Sequence, residues 1–336
     1  MASIVALKII QMFIILSVGV IAFKTGLIDK SATAKMSNLL LMVISPMLSF
    51  MSYQTDFSAE LLHGLLLCLL ASVLTFVISI MLSELIFRPG HASRAVSPDA
   101  SRLADGADAS GLSDGTGSSS DLSGIEKLSV VYSNCGFIGV PLVNSLFGSI
   151  GVFYLTAYLT AFNVLLWTHG IRAMGETFTL KTLWKKLMTP AILAIAAGVV
   201  CFVAQIRLPE VLSYPLGLIA NMNTPLAMLV AGANLAQADI LKCLKKTRVY
   251  LVSIVRLILI PAISLIFLRM MHLDFTVSFT VFLAAACPAG ASAIMFAERF
   301  EKDSSYATEL FVLTTVLSVV TIPLISIPAV ALLAHL

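Results

Sequence analysis

The sequence predicts an all-α membrane protein with ten transmembrane helices. Of its 336 residues, 59% are hydrophobic and only 12% are charged, whereas a soluble globular domain has about 45–50% apolar and about 25% charged residues. The hydrophobic residues also form blocks of about 20, the length of helix that crosses the hydrocarbon core of a bilayer. Because this number of charged side chains is too small to cover the surface of a soluble fold, we expect the chain to be solvated by lipid.

Ten hydrophobic blocks follow one another along the chain, and the connections between them differ in charge. Seventeen of the twenty-one lysine and arginine residues lie in every second connection. Because basic connections stay in the cytoplasm, this alternation predicts a multi-pass protein of the cell membrane with both termini non-cytoplasmic. The first block is long enough to be a retained helix. The predicted spans are 4–23, 36–53, 61–87, 128–147, 151–170, 188–206, 212–236, 249–271, 277–296 and 304–333.

The residues that usually mark enzymes and cofactor sites are scattered. The five cysteines form no CxxC pair, the five histidines form no HExxH motif, and no GxxxxGK[ST] loop is present to bind ATP. We therefore expect no enzyme activity, no metal, no cofactor and no nucleic-acid partner.

An internal repeat is indicated by residues that recur at fixed offsets. Because an odd number of helices in each half reverses its orientation, the pattern predicts two inverted five-helix repeats, an architecture common in secondary transporters. The first repeat comprises residues 1–87 (helices 1–3) and 125–175 (helices 4–5), and the second comprises residues 176–336 (helices 6–10). Residues 88–124, rich in Ser, Gly, Ala and Asp, are predicted to be a disordered cytoplasmic insert, either a linker or a regulatory or partner-binding segment. The offset of 179 joins Gly19, Phe23 and Pro46 to Gly198, Phe202 and Pro225, and an offset of 147 joins Pro141 to Pro288.

Two spans in corresponding places carry helix-breaking sequences. The fourth contains Asn134-Cys-Gly-Phe-Ile-Gly-Val-Pro141, and the ninth contains Cys287-Pro-Ala-Gly-Ala-Ser292. Proline and glycine weaken a helix, and free backbone at membrane depth is tolerated only in protein or beside water. Paired breaks therefore predict a site at the membrane midplane, where the N-termini of half-helices present N–H groups to an anion. The alternative is that each proline only kinks its helix.

The residues expected at this site come from both breaks and from neighbouring helices. Those expected to bind substrate are Asn134, Cys135, Gly136, Gly139 and Pro141 in the first break, Pro288, Ala289 and Ser292 in the second, and Asn163 and Ser45 on other spans. Asn134 could hold a carboxylate, or it could satisfy the freed backbone. The cysteines are also explained as small packing residues, and Asn163 as a bond between helices.

For three further residues the sequence predicts a structural or an electrostatic role. Pro46 and Pro225 are expected to be structural hinges. Arg256, about two turns inside the eighth span, could attract an anion, fix a broken helix through its carbonyls, or reach back to the interface. No Asp or Glu lies at the centre of a span, which disfavours ion coupling through a buried carboxylate; neutral oxygen atoms could still bind sodium.

In these residues the chain resembles the auxin efflux carrier family, which includes plant PIN-type auxin carriers and bacterial malonate and malate carriers. The resemblance covers nearly the whole chain except the insert, although PIN carriers place their long loop between helices five and six. It implies an NhaA/bile-acid-symporter-like fold in which broken helices 4 and 9 cross, with a scaffold part, a mobile transport part and a homodimer. It also implies movement of carboxylate anions, with Asn134 at the site. The residues that carry the resemblance are Asn134–Pro141, Asn163, Trp167, Arg256, Pro261, Pro288 and Thr314-Thr315 to Pro323.

We therefore expect a secondary transporter or uniporter that moves a small organic anion across the bilayer by an elevator-type motion. One alternative is a sodium-coupled symporter of the bile-acid type. Another is a membrane receptor or sensor that uses residues 88–124 to recruit a partner.

Overall fold

The computed structural model describes residues 2–87, 119–177, 188–237 and 246–334, and the regular structure within these ranges is helical. We number eleven helices along these ranges. They are α1 (Ala2–Lys24), α2 (Lys30–Ser52), α3 (Ala59–Ile86), α4 (Ser119–Val131), α5 (Cys135–Ala173), α6 (Pro190–Val203), α7 (Glu210–Ala236), α8 (Thr247–Met270), α9 (Phe275–Ala286), α10 (Ser292–Arg299) and α11 (Ser304–Leu333).

Seven of these helices (α1, α2, α3, α5, α7, α8 and α11) are long and apolar enough to cross a membrane, and α6 and α9 are shorter apolar helices. The helix α5 contains the end of the predicted fourth span and all of the fifth. It leaves helical geometry at Gly148, where φ is 60°, in the predicted gap between those spans. The chain is thus an all-helical, multi-pass membrane protein over the described residues.

The start of α4 differs from the prediction. The helix begins at Ser119, inside the segment 88–124 that was predicted to be a disordered insert. The N-terminal residues of α4 are Ser, Ser, Asp and Leu, and serine and aspartate are common in the first turn of a helix. The rest of the predicted insert, residues 88–118, lies outside the described residues.

Three prolines inside the helices follow a π-helical turn. These turns cover Leu40–Ile44 before Pro46, Cys135–Gly139 before Pro141, and Val255–Leu259 before Pro261. Proline lacks an N–H group, and its ring clashes with the carbonyl four residues earlier. A wider turn separates the ring from that carbonyl, so the helix continues through the proline. Pro225 instead lies in the first turn of Asn223–Ala236, the second segment of α7, after an interruption at Met222.

The helices pack in two groups. In the first group α7 packs along α1, and α6 and the first segment of α7 pack on the second half of α2. The second group consists of α3, α4, α5, α8, α9, α10 and α11, with α9 packed between α3, α5, α8 and α11. The groups meet where α1 contacts α11 and where α2 and α7 contact α5. In α9 the described side chains from Val277 onward are buried, so this helix lies inside the second group.

The contact between α1 and α7 depends on glycine. A Cβ atom at Gly232 would lie 2.0 Å from the carbonyl oxygen of Leu16, and one at Gly19 would lie 2.3 Å from that of Leu229. Both distances are far inside van der Waals contact. The two backbones therefore approach closely because neither glycine has a side chain, as is common for helices packed in membranes.

We expect Gly232→Ala to lower stability, because the added methyl group forces α1 and α7 apart at a cost of about 1–3 kcal/mol. The matched control is Gly217→Ala on the same helix, where no atom lies within 4 Å of the added methyl group. That change should be neutral or raise stability by up to about 1 kcal/mol, since alanine favours a helix over glycine. Melting temperatures of the purified variants in detergent compare the two. Equal melting temperatures would contradict the close approach.

Candidate functional site

The two predicted breaks are hydrogen-bonded to each other. The backbone N–H of Asn134 donates to the carbonyl of Pro288 at 2.7 Å, and the N–H of Gly290 donates to the carbonyl of Tyr132 at 2.9 Å. Between them, Ser133 and Ala289 form an antiparallel β-bridge. We call residues 132–134 and 287–291 the crossover. Two helices, α4 and α9, end at the crossover, and two others, α5 and α10, begin there.

The second break follows directly from its proline. Cys287, which precedes Pro288, is extended with φ −60° and ψ 151°, the conformation that a following proline favours. The helix α9 therefore ends at Ala286. The N–H of Ala289 donates to the Thr314 hydroxyl on α11 at 3.1 Å, so a side chain of a neighbouring helix satisfies part of the freed backbone.

The first break lies earlier than the prediction around Pro141. The helix α4 ends at Val131, and Asn134 then caps the next helix, with its Oδ1 accepting a 3.3 Å hydrogen bond from the Phe137 N–H. Pro141 lies within α5, because the π-helical turn Cys135–Gly139 accommodates it. The contact Ser133–Ala289 joins positions 156 apart, whereas Pro141 and Pro288 are 147 apart. The offset of 147 between the two prolines therefore differs from the offset between the two observed breaks.

Two glycines of the first break have different surroundings. A Cβ atom at Gly139 would lie 3.3 Å from the Cys287 sulfur and from the Cys135 Cβ, so this glycine lets the two broken segments pack together. Cys135 and Cys287 are themselves buried and unpaired by disulfide. At Gly136 no atom lies within 4 Å of such a Cβ. Gly136 therefore borders open space at the start of α5.

Arg256 connects the ends of both interrupted helices. Its side chain is only 1% exposed. Its guanidinium donates to the carbonyls of Ala285 at 2.6 Å and Cys287 at 2.9 Å, and to that of Val130 at 2.8 Å, with a longer contact of 3.5 Å to Val131. These are the free carbonyls at the C-termini of α9 and α4, which a cation stabilises through the helix dipole.

The guanidinium is therefore occupied by the protein's own backbone. Among the described residues no carboxylate lies within ion-pair distance of Arg256. The geometry of Arg256 therefore corresponds to fixing the broken helices through their carbonyls, and not to attracting an anion or reaching the interface.

Two polar groups at the helix starts have no hydrogen-bond partner among the described residues. Asn134 is 3% exposed, and its Nδ2 makes no hydrogen bond. The Oγ of Ser292, the first residue of α10, is also buried without a partner. Buried polar groups are nearly always hydrogen-bonded. Because Asn134 uses Oδ1 for its cap, the group that remains free is a donor. The starts of α5 and α10 each therefore carry a free side-chain donor or hydroxyl beside the unpaired N–H groups of a helix N-terminus.

The candidate residues outside the crossover have local partners. The amide of Asn163 donates to the Leu159 carbonyl in its own helix at 2.7 Å. The Ser45 hydroxyl accepts a 2.8 Å hydrogen bond from Asn223 and so joins α2 to α7. Trp167 packs against Phe296 of α10, with ring centroids 5.2 Å apart. The roles of Asn163 and Ser45 as substrate ligands, and of Pro46 and Pro225 as hinges, stay predictions.

A cavity of about 930 Å³ lies beside the crossover. It reaches Ala291 of the crossover and continues to the ends of α2, α7, α10 and α11, which lead into basic connections. Ten of its seventeen lining residues are polar, and Lys30 and Glu298 contribute opposite charges. The lining residues are Phe23, Lys30, Thr33, Ala34, Ser37, Asn38, Asn234, Ala236, Gln237, Ala291, Ile294, Met295, Glu298, Ser305, Thr308, Glu309 and Phe311.

The structure contains a buried ionic cluster that was not predicted from the sequence. Glu126 of α4 is fully buried and accepts hydrogen bonds from Arg248, at 2.8 Å to Oε2, and from the Tyr306 hydroxyl, at 2.8 Å to Oε1. Next to it, Lys127 pairs with Glu84 at 2.7 Å. The only available signal is that these charges flank hydrophobic blocks, and that signal does not show which of them pair.

The fold and the paired breaks define a multi-pass membrane protein with interrupted helices that meet inside the helix bundle. Residues 171–326 match the family model described as Membrane transport protein. The match confirms the resemblance to the auxin efflux carrier family over this part of the chain, which includes Arg256 and the second break. The first break precedes the matched residues. No curated protein matches the chain. The matched residues, 156 of the 336, are therefore similar to membrane transport proteins.

Proposed function

We propose that the protein is a secondary transporter or uniporter of a small organic carboxylate anion. One observation carries the proposal: the buried amide of Asn134 has a free donor at the start of α5, beside open space at Gly136. A carboxylate accepts hydrogen bonds from such a donor and from the N–H groups of a helix N-terminus. The free hydroxyl of Ser292 offers a second contact at the start of α10.

We also propose that the helices form ten spans in two inverted five-helix repeats. Three features support this arrangement. The two breaks pair with each other in antiparallel orientation. Asn223 bonds to Ser45, 178 positions earlier, close to the repeat offset of 179 expected from the sequence. Gly198 of α6 packs against Tyr53, at the end of α2, as Gly19 packs against α7.

The proposed motion is an elevator-type movement of the second helix group, which contains the crossover, against the first group. The cavity lies between the groups, since α1, α2 and α7 line one side and α10 and α11 the other. At the other ends of the helices, the Tyr53 hydroxyl bonds to Thr156 of α5, and Tyr53 and Phe202 pack around Phe153. These contacts join the two groups there, which corresponds to a state open toward the basic connections.

The orientation of this cavity can be tested by cysteine labelling. In a background with Cys201 and Cys243 replaced by serine, Ser37→Cys on the cavity wall should react with a membrane-impermeant maleimide from the cytoplasmic side only. The control is Val211→Cys at the opposite end of α7, where the native side chain is 84% exposed. It should react from the other side only. If both positions react from the same side, the proposed orientation is wrong.

Transport itself is tested with the purified chain in liposomes. From a panel of labelled monocarboxylates and dicarboxylates, at least one acid should enter faster than into protein-free liposomes, and unlabelled acid inside should exchange with labelled acid outside. Uptake with sodium or with potassium outside separates the uniporter from the sodium-coupled symporter. If no carboxylate enters or exchanges under either condition, the proposed function fails.

A further inference from the structure

Four helix ends meet at the crossover, and each carries a partial charge. The helices α4 and α9 end there, and each contributes about −0.5 elementary charge from its free carbonyls. The helices α5 and α10 begin there, and each contributes about +0.5 from its free N–H groups. Because two helices end and two begin, the four helix dipoles cancel.

Arg256 adds a full positive charge to this balance. It lies against the ends of α4 and α9, through the carbonyls of Val130, Ala285 and Cys287, so it neutralises the negative ends of both. Among the described residues, no side-chain charge is bonded to the positive ends of α5 and α10. Together they amount to about one elementary charge.

The other charged side chains around the crossover pair with one another. On α4, Glu126 is bonded to Arg248 of α8, and Lys127 is paired with Glu84 of α3. On α11, Glu309 is paired with Lys246 at 2.7 Å. His169 of α5 approaches Glu84 at 3.8 Å and is bonded to Tyr132 at 3.0 Å. Tyr158, beside Ser133, is a neutral hydroxyl. The exposed side chains of Lys30 and Glu298 line the cavity beside the crossover with opposite charges. Within the described part of the chain, the net charge at the crossover is therefore set by Arg256.

We propose that the crossover selects a carboxylate with a single negative charge and excludes the dianion of a dicarboxylate. This inference rests on the proposed function and specifies its substrate. One negative charge at the starts of α5 and α10 brings the buried site to neutrality. A second would be transferred from water into the protein without a counter-charge, which is costly in a medium of low polarity. Arg256 cannot supply that counter-charge, because its guanidinium is committed to the backbone.

The test compares acids of the same shape and different charge. Malonate, succinate and glutarate are each matched with the monoamide, in which one carboxylate is replaced by a carboxamide and the charge stays at −1. Binding to the purified full-length protein in detergent is measured by titration calorimetry. The measurement is made at several pH values on either side of the second ionisation of each dicarboxylate.

The expected result is a dissociation constant for the monoamide that does not change over this pH range. The dissociation constant of the dicarboxylate should rise about tenfold for each pH unit above its second ionisation, because only the monoanionic fraction binds. If the dicarboxylate keeps its affinity when fully ionised, the site accepts two charges, and the inference is wrong while carboxylate binding stands. If both acids weaken in parallel, a protein group controls the pH dependence, and the inference is again wrong. If no acid of the series binds, the proposed function itself fails.

Discussion

Replacing Arg256 with methionine should cause the largest loss of stability of any single substitution in the second helix group. The change leaves the free carbonyls of Val130, Ala285 and Cys287 buried and unpaired, and it removes the cation at two helix ends. Removing one partner from a buried charged arrangement costs about 3–5 kcal/mol. For a chain of this size we expect the melting temperature in detergent to fall by on the order of 10 °C.

Two variants serve as controls for this prediction. Arg256→Lys keeps the charge, but a single ammonium group cannot donate to both helix ends in the fixed geometry of a guanidinium, so an intermediate loss is expected. Arg269→Met removes an arginine from the same helix α8 that bonds to none of the crossover carbonyls. Surface changes of this kind usually alter stability by less than about 0.5 kcal/mol. If Arg256→Met melts within about 1 °C of Arg269→Met, the guanidinium does not hold the broken helices together.

Most of the helical fold could be predicted from the sequence, because lipid imposes a simple requirement on it. A helix that crosses the hydrocarbon core must be apolar for about 20 residues, and seven helices of the described residues are long and apolar enough to do so. The second break was also predicted, since Pro288 removes an N–H group and pushes Cys287 out of helical geometry. These are local effects of single residues, and a sequence displays them directly.

The first break could not be placed from local rules. Pro141 was expected to interrupt its helix, but the π-helical turn before it accommodates the ring, and the chain is interrupted at 132–134 instead. Residues 132–134 include no proline. What fixes their conformation is the pairing of Ser133 and Asn134 with a segment more than 150 positions away. Such a contact depends on the tertiary fold.

The role of Arg256 also depends on the tertiary fold and could not be read from its position in the sequence. A long cationic side chain two turns inside a span can reach the interface, bind an anion or bond to carbonyls, and its sequence position is the same in each case. Only the convergence of α4 and α9 on one guanidinium distinguishes these roles. The assignment of Asn134, Ser45, Asn163 and Ser292 to substrate remains a prediction, because it depends on a ligand.

Asn134→Asp should abolish carboxylate transport while the fold is retained. The new carboxylate keeps an oxygen where Oδ1 accepts the Phe137 N–H, so the start of α5 stays capped. It replaces the free Nδ2 donor with negative charge, at the position where the substrate anion is proposed to bind. Like charges brought together in a buried site cost several kcal/mol, so the rate of uptake into liposomes should fall by more than about 100-fold, with an unchanged melting temperature.

The pH dependence of this variant separates electrostatic repulsion from a loss of shape. Once protonated, the introduced carboxyl is neutral and can donate a hydrogen bond as the amide does, so uptake should recover as the pH is lowered. Asn134→Leu offers no donor at any pH and should stay inactive. Asn144→Asp, the same change about three turns further along the chain in α5, should transport at a rate close to that of the unmodified protein. Because the unmodified protein is measured at each pH, changes in the ionisation of the substrate are separated from those of the variant. Undiminished uptake by Asn134→Asp at neutral pH would place the anion away from the start of α5.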